Sequence, residues 1–170
     1  MSASVALRIA TITDAPVLAA HRVAMFREMG SVKPDCDQKL REASAAYFTL
    51  AIPSGEYVGW VAHEPGSPAI VAGAGVQIRS MLPRPNATGH GLLLGREALV
   101  LNVYTRPDWR RRGIARFMME AVTRWAATAG IVSLVLHASD DGRPLYEALG
   151  FIPTNEMRYT DLLTRDHCST

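Results

Sequence analysis

Arg110-Arg111-Arg112-Gly113-Ile114-Ala115 brings three guanidinium groups and two small residues together, and the chemistry such a segment suits is the holding of phosphate. An α-helix begins with backbone N–H groups that lack intrahelical partners and with a partial positive charge, so an anion sits well there when small side chains let the backbone come close. Gly113 and Ala115 are the small residues. Arginine adds bidentate, charge-assisted contacts to phosphate. The segment therefore reads as a pyrophosphate cradle, on the condition that it opens a helix. By itself the spacing Arg-x-x-Gly-x-Ala is more often that of a solvated basic face. Other nucleotide cradles fail: no G-x-x-x-x-G-K-[ST] occurs, and Gly73-Ala74-Gly75 lies inside a strand pattern without a third glycine at the dinucleotide-fold spacing.

The elements around the segment meet the condition. Residues 98–104 are mostly apolar and read as a strand; residues 112–129 place Ile114, Met118, Ala121, Val122 and Trp125 on one helical face; Gly130 stops that helix, and residues 131–136 form a second apolar strand. Strand, helix and strand within about forty residues make a βαβ crossover, which needs parallel strands. Upstream, Val5, Leu7 and Ile9 alternate as a half-buried strand. Thr13 or Asp14 can cap a helix in which Leu18, Met25, Phe26 and Met29 recur before the stop at Gly30. Asp35 or Asp37 can open a second helix whose Leu40, Ala43 and Tyr47 share a stripe, ended or followed by Pro53-Ser54-Gly55. Residues 57–63 and 70–81 read as a hairpin around Glu64-Pro65-Gly66-Ser67-Pro68. Residues 83–95 form a Pro/Gly/Asn-rich loop with a short helical piece at 92–94, long enough to be a substrate wall. A last helix over 143–149 ends at Gly150, and the chain from Phe151 reads as extended.

Composition agrees with one globular domain over residues 1–170: 48% of residues are hydrophobic and the charged fraction is an ordinary 20%. A net charge of +2 gives no reason to expect nucleic acid or an anionic membrane as partner. No apolar run reaches the ~18 residues that span a bilayer, and the start MSASVALRIATITD lacks a basic region followed by a long apolar one; the expectation is a cytoplasmic protein. Cys36 and Cys168 stand in no metal-ligand or C-x-x-C spacing, so reduced thiols and no metal site are expected. Asn86-Ala87-Thr88 matches a glycosylation sequon that a cytoplasmic chain would not use. Sixteen arginines against two lysines read as the codon bias of a GC-rich, bacterial genome.

Val103-Tyr104-Thr105-Arg106-Pro107-Asp108-Trp109-Arg110-Arg111-Arg112-Gly113-Ile114-Ala115 resembles the acetyl-CoA-binding signature of the GNAT superfamily of N-acetyltransferases, a strand followed by [QR]-x-x-G-x-[GA] at the head of a helix. Leu145-Tyr146-Glu147-Ala148-Leu149-Gly150-Phe151 is similar to that superfamily's L-Y-x-x-x-G-F. Two motifs in order cover about fifty residues, and the upstream strand, two helices and hairpin fit the family's N-terminal half. The resemblance implies an α/β (α+β) GNAT-type fold, with a central mixed sheet of about six to seven strands flanked by about four helices. It also implies acetyl-CoA as co-substrate, no metal, and transfer of the acetyl group to a primary amine by direct attack. The acceptor would be a small molecule or a peptide N-terminus, and homodimerisation is left open.

Carried over residue by residue, the resemblance has Val103, Tyr104 and Thr105 bind the pantetheine arm and polarise the thioester carbonyl through backbone groups. Arg111, Arg112, Gly113, Ile114, Ala115 and Arg116 would hold the pyrophosphate through backbone amides. Tyr146 would be the general acid for the departing thiolate; a phenol of pKa ~10 stays protonated at neutral pH. By itself Tyr146 reads first as a helix tyrosine packed on Phe151, and its spacing to Gly150-Phe151 tips it towards catalysis. Many family members carry an asparagine seven positions before this tyrosine; here the position is Ser139, whose shorter hydroxyl leaves that cofactor contact open. The attacking amine must lose its proton, and the first candidate base is Glu97, with Asn102 and His137 as groups able to position a water. Phe26 and Met29 are candidate walls of the acceptor pocket, although a Met/Phe stripe on a helix also suits a core. A non-catalytic acyl-CoA-binding module and an arginine-rich nucleic-acid-binding domain are the competing classes.

Overall fold

The computed structural model describes residues 5–159; Cys168 lies outside them. The described chain runs β1 (Ala6–Ile9), α1 (Ala15–Glu28), α2 (Asp37–Ser54), β2 (Tyr57–His63), β3 (Ile70–Ser80), β4 (Arg84–Pro85), β5 (Leu92–Leu93), β6 (Arg96–Thr105), α3 (Ile114–Thr128), β7 (Ile131–Leu136) and α4 (Arg143–Glu147). A mixed sheet has the order β1-β2-β3-β6-β7. Every neighbouring pair in it is antiparallel except β6 and β7, which are parallel and joined through α3 as the βαβ reading requires. Seven strands are present among the described residues, but five make the central sheet and β4 and β5 form a ribbon of their own.

That ribbon replaces the helical piece expected at 92–94. Asn86 N–H donates to Gly91 O at 2.8 Å while the Asn86 side-chain oxygen accepts from the Thr88 hydroxyl at 2.9 Å, so the asparagine folds its own turn and pairs the flanking residues as strand. α3 begins at Ile114 rather than Arg112 because Gly113 has φ +77°, a left-handed conformation that precedes the helix. α4 ends at Glu147 rather than at 149: Phe151 N–H reaches back to Tyr146 O at 3.0 Å over Gly150 at φ +91°, which closes the helix early.

Helix α3 covers one face of the sheet. Ile114, Met118, Met119 and Val122 lie there against Trp60, Val76 and Val100, all buried. Burying each such side chain contributes about 1.5–3 kcal/mol before entropy is charged. Helices α1 and α2 cover the other face, where Leu18, Ala19 and Phe48 meet Tyr57 and Val61. At the head of α1, Asp14 is buried and accepts from Arg8 at 2.7 and 2.9 Å and from the Thr11 amide at 2.8 Å; the Arg8 hydrogen bonds hold its carboxyl below the usual carboxylate range.

Candidate active site

β6 is the strand on which the site is built, and it changes phase in its middle. Ala98 and Val100 face α3, and so does Val103; Leu101 and Asn102, though adjacent, both line a cavity on the α1–α2 side. One extra residue has been taken up there. The register against β3 shifts between Gly73 and Gly75, and Asn102 sits at φ +58°. This is a β-bulge, and a bulge bends its strand. β7 pairs with β6 only from Arg96 to Val100, so beyond the bulge the two parallel strands part. Arg106 N–H donates to Val71 O at 2.9 Å, and strand alternation then turns the backbone groups of Val103 and Thr105 to the opposite edge, into that opening.

The chain next turns through Pro107–Trp109 and an extended Arg110 to Arg111 at φ +62° and Gly113 at φ +77°. The first intrahelical bond of α3 runs from Phe117 N–H to Gly113 O at 3.0 Å. The amides of Gly113, Ile114, Ala115 and Arg116 precede it and form the open head of the helix. A Cβ placed on Gly113 would meet nothing within 4 Å, so no other side chain crowds the backbone at this residue. The arginines divide their work. Arg110 turns away from the turn, donating to Thr105 O at 2.9 Å and to Glu28 at 2.6 Å. Arg112 lies 4.8 Å over the Trp109 ring and donates to Asp108 O, and Arg116 pairs loosely with Glu120.

Tyr146 lies on α4, edge-on to Phe151 with ring centroids 6.0 Å apart. Its hydroxyl takes no hydrogen bond among the described residues, and burial raises its pKa. Tyr146 lines a cavity of about 450 Å³ together with Leu136, His137 and Ala138, the residues at which β7 ends. Ser139 faces the start of α4 instead, its Oγ accepting from Gly142 N–H at 3.2 Å. Gly142 is small for a local reason: a Cβ there would stand 3.0 Å from the Tyr146 ring.

Glu97 lines the same cavity as Tyr146, but its carboxylate is engaged. Arg79 Nε donates to one oxygen at 2.7 Å, with a second Arg79 nitrogen on the same atom, and Ser133 Oγ donates to the other at 2.8 Å. Burial pushes its pKa up, yet the hydrogen bonds from Ser133 and Arg79 outweigh that and leave it below the usual glutamate value. A carboxylate so held is a weak proton acceptor. It ties β3, β6 and β7 together across one rung of the sheet. His137 pairs at 3.5 Å with Glu156.

The acceptor-side residues separate. Asn102 is 3% exposed; its Nδ2 donates to Leu18 O at 3.2 Å and its Oδ1 has no partner among the described residues. It lines a cavity of about 330 Å³ between α1, α2 and the sheet, with Arg22, Tyr47, Tyr57 and Gln77. The α2 stripe Leu40, Ala43 and Tyr47 is a wall of this cavity. Phe26 stacks under the Arg22 guanidinium at 4.8 Å and so stands behind the wall, whereas Met29 is 53% exposed at the end of α1 and lines neither cavity. Sequence reading missed Arg22, Tyr57 and His21. His21 is buried against Tyr104, with ring centroids 5.1 Å apart. The only signals were glycines: a Cβ on Gly75 would strike the Tyr57 hydroxyl, and one on Gly73 would stand 3.2 Å from His21 Nδ1.

Comparison with known proteins gives this geometry a family context. The family model described as an acetyltransferase (GNAT) domain matches residues 54–153. A crystal structure of a GCN5-related N-acetyltransferase from Ralstonia eutropha JMP134 is 31% identical, with a TM-score of 0.79 over 92% of this chain and 97% of that one. A predicted acetyltransferase with acetyl-CoA from Clostridium acetobutylicum is 29% identical, with a TM-score of 0.76 over 96% of this chain and 100% of that one. Among curated proteins, an aminoglycoside N(6′)-acetyltransferase type 1 from Acinetobacter genomosp. 13 is 34% identical over 65 residues, 36% of this chain and 44% of that enzyme.

Proposed function

Since the chain belongs to the GNAT acetyltransferase family, we propose that it works as one domain over residues 1–170 and transfers the acetyl group of acetyl-CoA to a primary amine. Attack is direct, through a tetrahedral intermediate, without an acyl-enzyme or a metal. The observation that carries this reading is the conjunction on β6: a bulge at Asn102, parallel strands that part beyond Val100, and a helix head that opens on a left-handed glycine without a side-chain cap.

The residues fit acetyl-CoA. Backbone amides of Gly113, Ile114, Ala115 and Arg116, with Arg111 and Arg112 beside them, would hold the pyrophosphate. Val103 and Thr105 would hold the pantetheine arm by backbone hydrogen bonds along the opening, with Tyr104 between them fixing the strand to α1 through His21 and Glu28. When bound, acetyl-CoA supplies an acetyl group activated as a thioester. Amides facing the opening stabilise negative charge that develops on a carbonyl oxygen, because they are fixed in advance of the reaction. Tyr146 keeps its proton at neutral pH, its pKa raised by burial, and its otherwise unbonded hydroxyl gives that proton to a leaving thiolate.

The amine side rests on Asn102 rather than on Glu97. Glu97 is spent on Arg79 and Ser133, so its role here is to hold the rung. Asn102 Oδ1 is an open acceptor next to the bulge and would orient the amine or the water that takes its proton. Calorimetric titration with CoA, followed by CoA release from acetyl-CoA over a panel of amines, tests the reading. Binding with turnover of at least one amine is expected. CoA binding with none would leave an acyl-CoA-binding module, and binding of an oligonucleotide in place of CoA would overturn the reading.

A further inference from the structure

The cavity between α1, α2 and the sheet contains a cation but no anion. Arg22 lines it, and among the described residues no carboxylate lies within ion-pair distance of that guanidinium. The guanidinium lies over the face of Phe26 and near the Tyr47 and Tyr57 hydroxyls, and burial lowers its pKa. Glu56, outside the lining, is engaged by two wall residues, accepting from the Tyr47 hydroxyl at 3.0 Å and from Gln77 Nε2 at 3.3 Å. A desolvated guanidinium without a counter-charge is costly. Two further wall groups are unpartnered and more deeply buried. Among the described residues the Tyr57 hydroxyl, on a residue 2% exposed, has no hydrogen-bond partner, and neither has Asn102 Oδ1, on a residue 3% exposed. Gly75 is required for Tyr57 to lie where it does, since a Cβ there would fall on its hydroxyl.

These three groups have complementary chemistry. Arg22 and the Tyr57 hydroxyl are donors suited to a carboxylate. Asn102 Oδ1 is an acceptor suited to an N–H and belongs to the bulge residue, the point at which the cavity meets the reacting strand. We propose that the acceptor is a small amino acid-like zwitterion, its carboxylate held by Arg22 and Tyr57 and its amine presented by Asn102. This rests on the acetyl-transfer reading above. A volume of about 330 Å³ suits a molecule of that size and stands at the lower end of the roughly 300–1,000 Å³ of small-molecule sites. A polycationic aminoglycoside fits poorly: each added ammonium group would need a carboxylate, and the cavity presents a like charge instead.

The test compares kcat/KM for common amino acids with that for their carboxamides, an aliphatic diamine and an aminoglycoside, alongside calorimetric CoA binding. At least one amino acid is expected to be acetylated, with its carboxamide poorer by about 10²-fold, the scale of leaving buried donors unpaired. Arg22→Gln should raise KM for the acid about tenfold or more, hold the CoA dissociation constant within about twofold, and shrink the acid-to-amide ratio. The wild-type ratio decides the matter without the variant. Equal rates for acid and amide, preference for the diamine or aminoglycoside, or turnover of no amino acid in a protein that binds CoA would each overturn the assignment. A chain that binds no CoA would fail the acetyl-transfer reading itself.

Discussion

On the α3 side of β6 the groups proposed above to bind ligand belong to the main chain: the helix-head amides from Gly113 to Arg116 and the strand edge at Val103 and Thr105. On the α1–α2 side they belong to side chains: Arg22 from α1, Tyr47 from α2, Tyr57 from β2 and Asn102 from β6. The first arrangement needs only the right backbone shape, and a glycine at one position secures much of that. The second needs particular atoms delivered from four elements. A main-chain site can stay constant while its side chains drift, whereas a side-chain site can change its ligand by exchanging one residue.

The largest effect expected from this division is on turnover. Tyr146→Phe should lower kcat by ~10²-fold, the contribution of one general acid, and leave CoA affinity and amine KM near wild type. A variant with unreduced single-turnover rate would make Tyr146 a packing partner of Phe151 only.

On the α1–α2 side the next effect is one of stability. His21 is 5% exposed, and burial, with the charge of Arg106, lowers its pKa to about 4 from the ordinary 6.5. The unfolded chain therefore takes up a proton near pH 6.5 that the folded chain refuses until about pH 4. Stability is full above pH 6.5 and falls as the pH drops from there towards 4, by roughly 2 to 3 kcal/mol. Urea unfolding at several pH values should reveal that slope, and His21→Gln should flatten it. An equal slope in the variant would place the acid sensitivity elsewhere.

Gly113→Val should weaken CoA about tenfold, since φ +77° disfavours a branched residue and the side chain would enter the space above the helix head. Amine selectivity should not move. Unchanged CoA affinity in a folded variant would separate the helix head from phosphate binding. The smallest change is expected from shortening residues 86–90 at the tip of the β4–β5 ribbon: a several-fold shift in amine KM with the CoA dissociation constant within about twofold. Parallel shifts in both constants would show that the ribbon serves the two sides alike.

The same division decides what could be read from the chain. The cradle and the Leu145–Phe151 motif are contiguous, so pattern and periodicity exposed them together with the βαβ unit. Asn102 bonds a carbonyl 84 residues away, and no local pattern reports such a pairing. Arg22 belongs to no motif in the sequence, and the stripe of Leu40, Ala43 and Tyr47 becomes a wall only because the two helices leave a cavity between them. Glu97 was legible as a carboxylate on the reacting strand. Its engagement by Arg79 and Ser133 depends on β3 and β7 lying on either side, which strand order alone reveals. The ribbon was missed because an asparagine that closes its own turn overrode the helical propensity of three leucines.

The phase change at Leu101 and Asn102 gives β6 two reading frames joined at a single residue. Upstream of it, even-numbered positions look to α3; downstream, odd-numbered ones do. Removing the extra residue at the joint would merge the frames, leaving Val103 and Tyr104 on their present faces but abolishing the bend beyond which β6 and β7 part. Length variation is thus admissible at the tip of the β4–β5 ribbon and barred within β6, and in this strand an altered acceptor preference has to arise by exchange of side chains at fixed length.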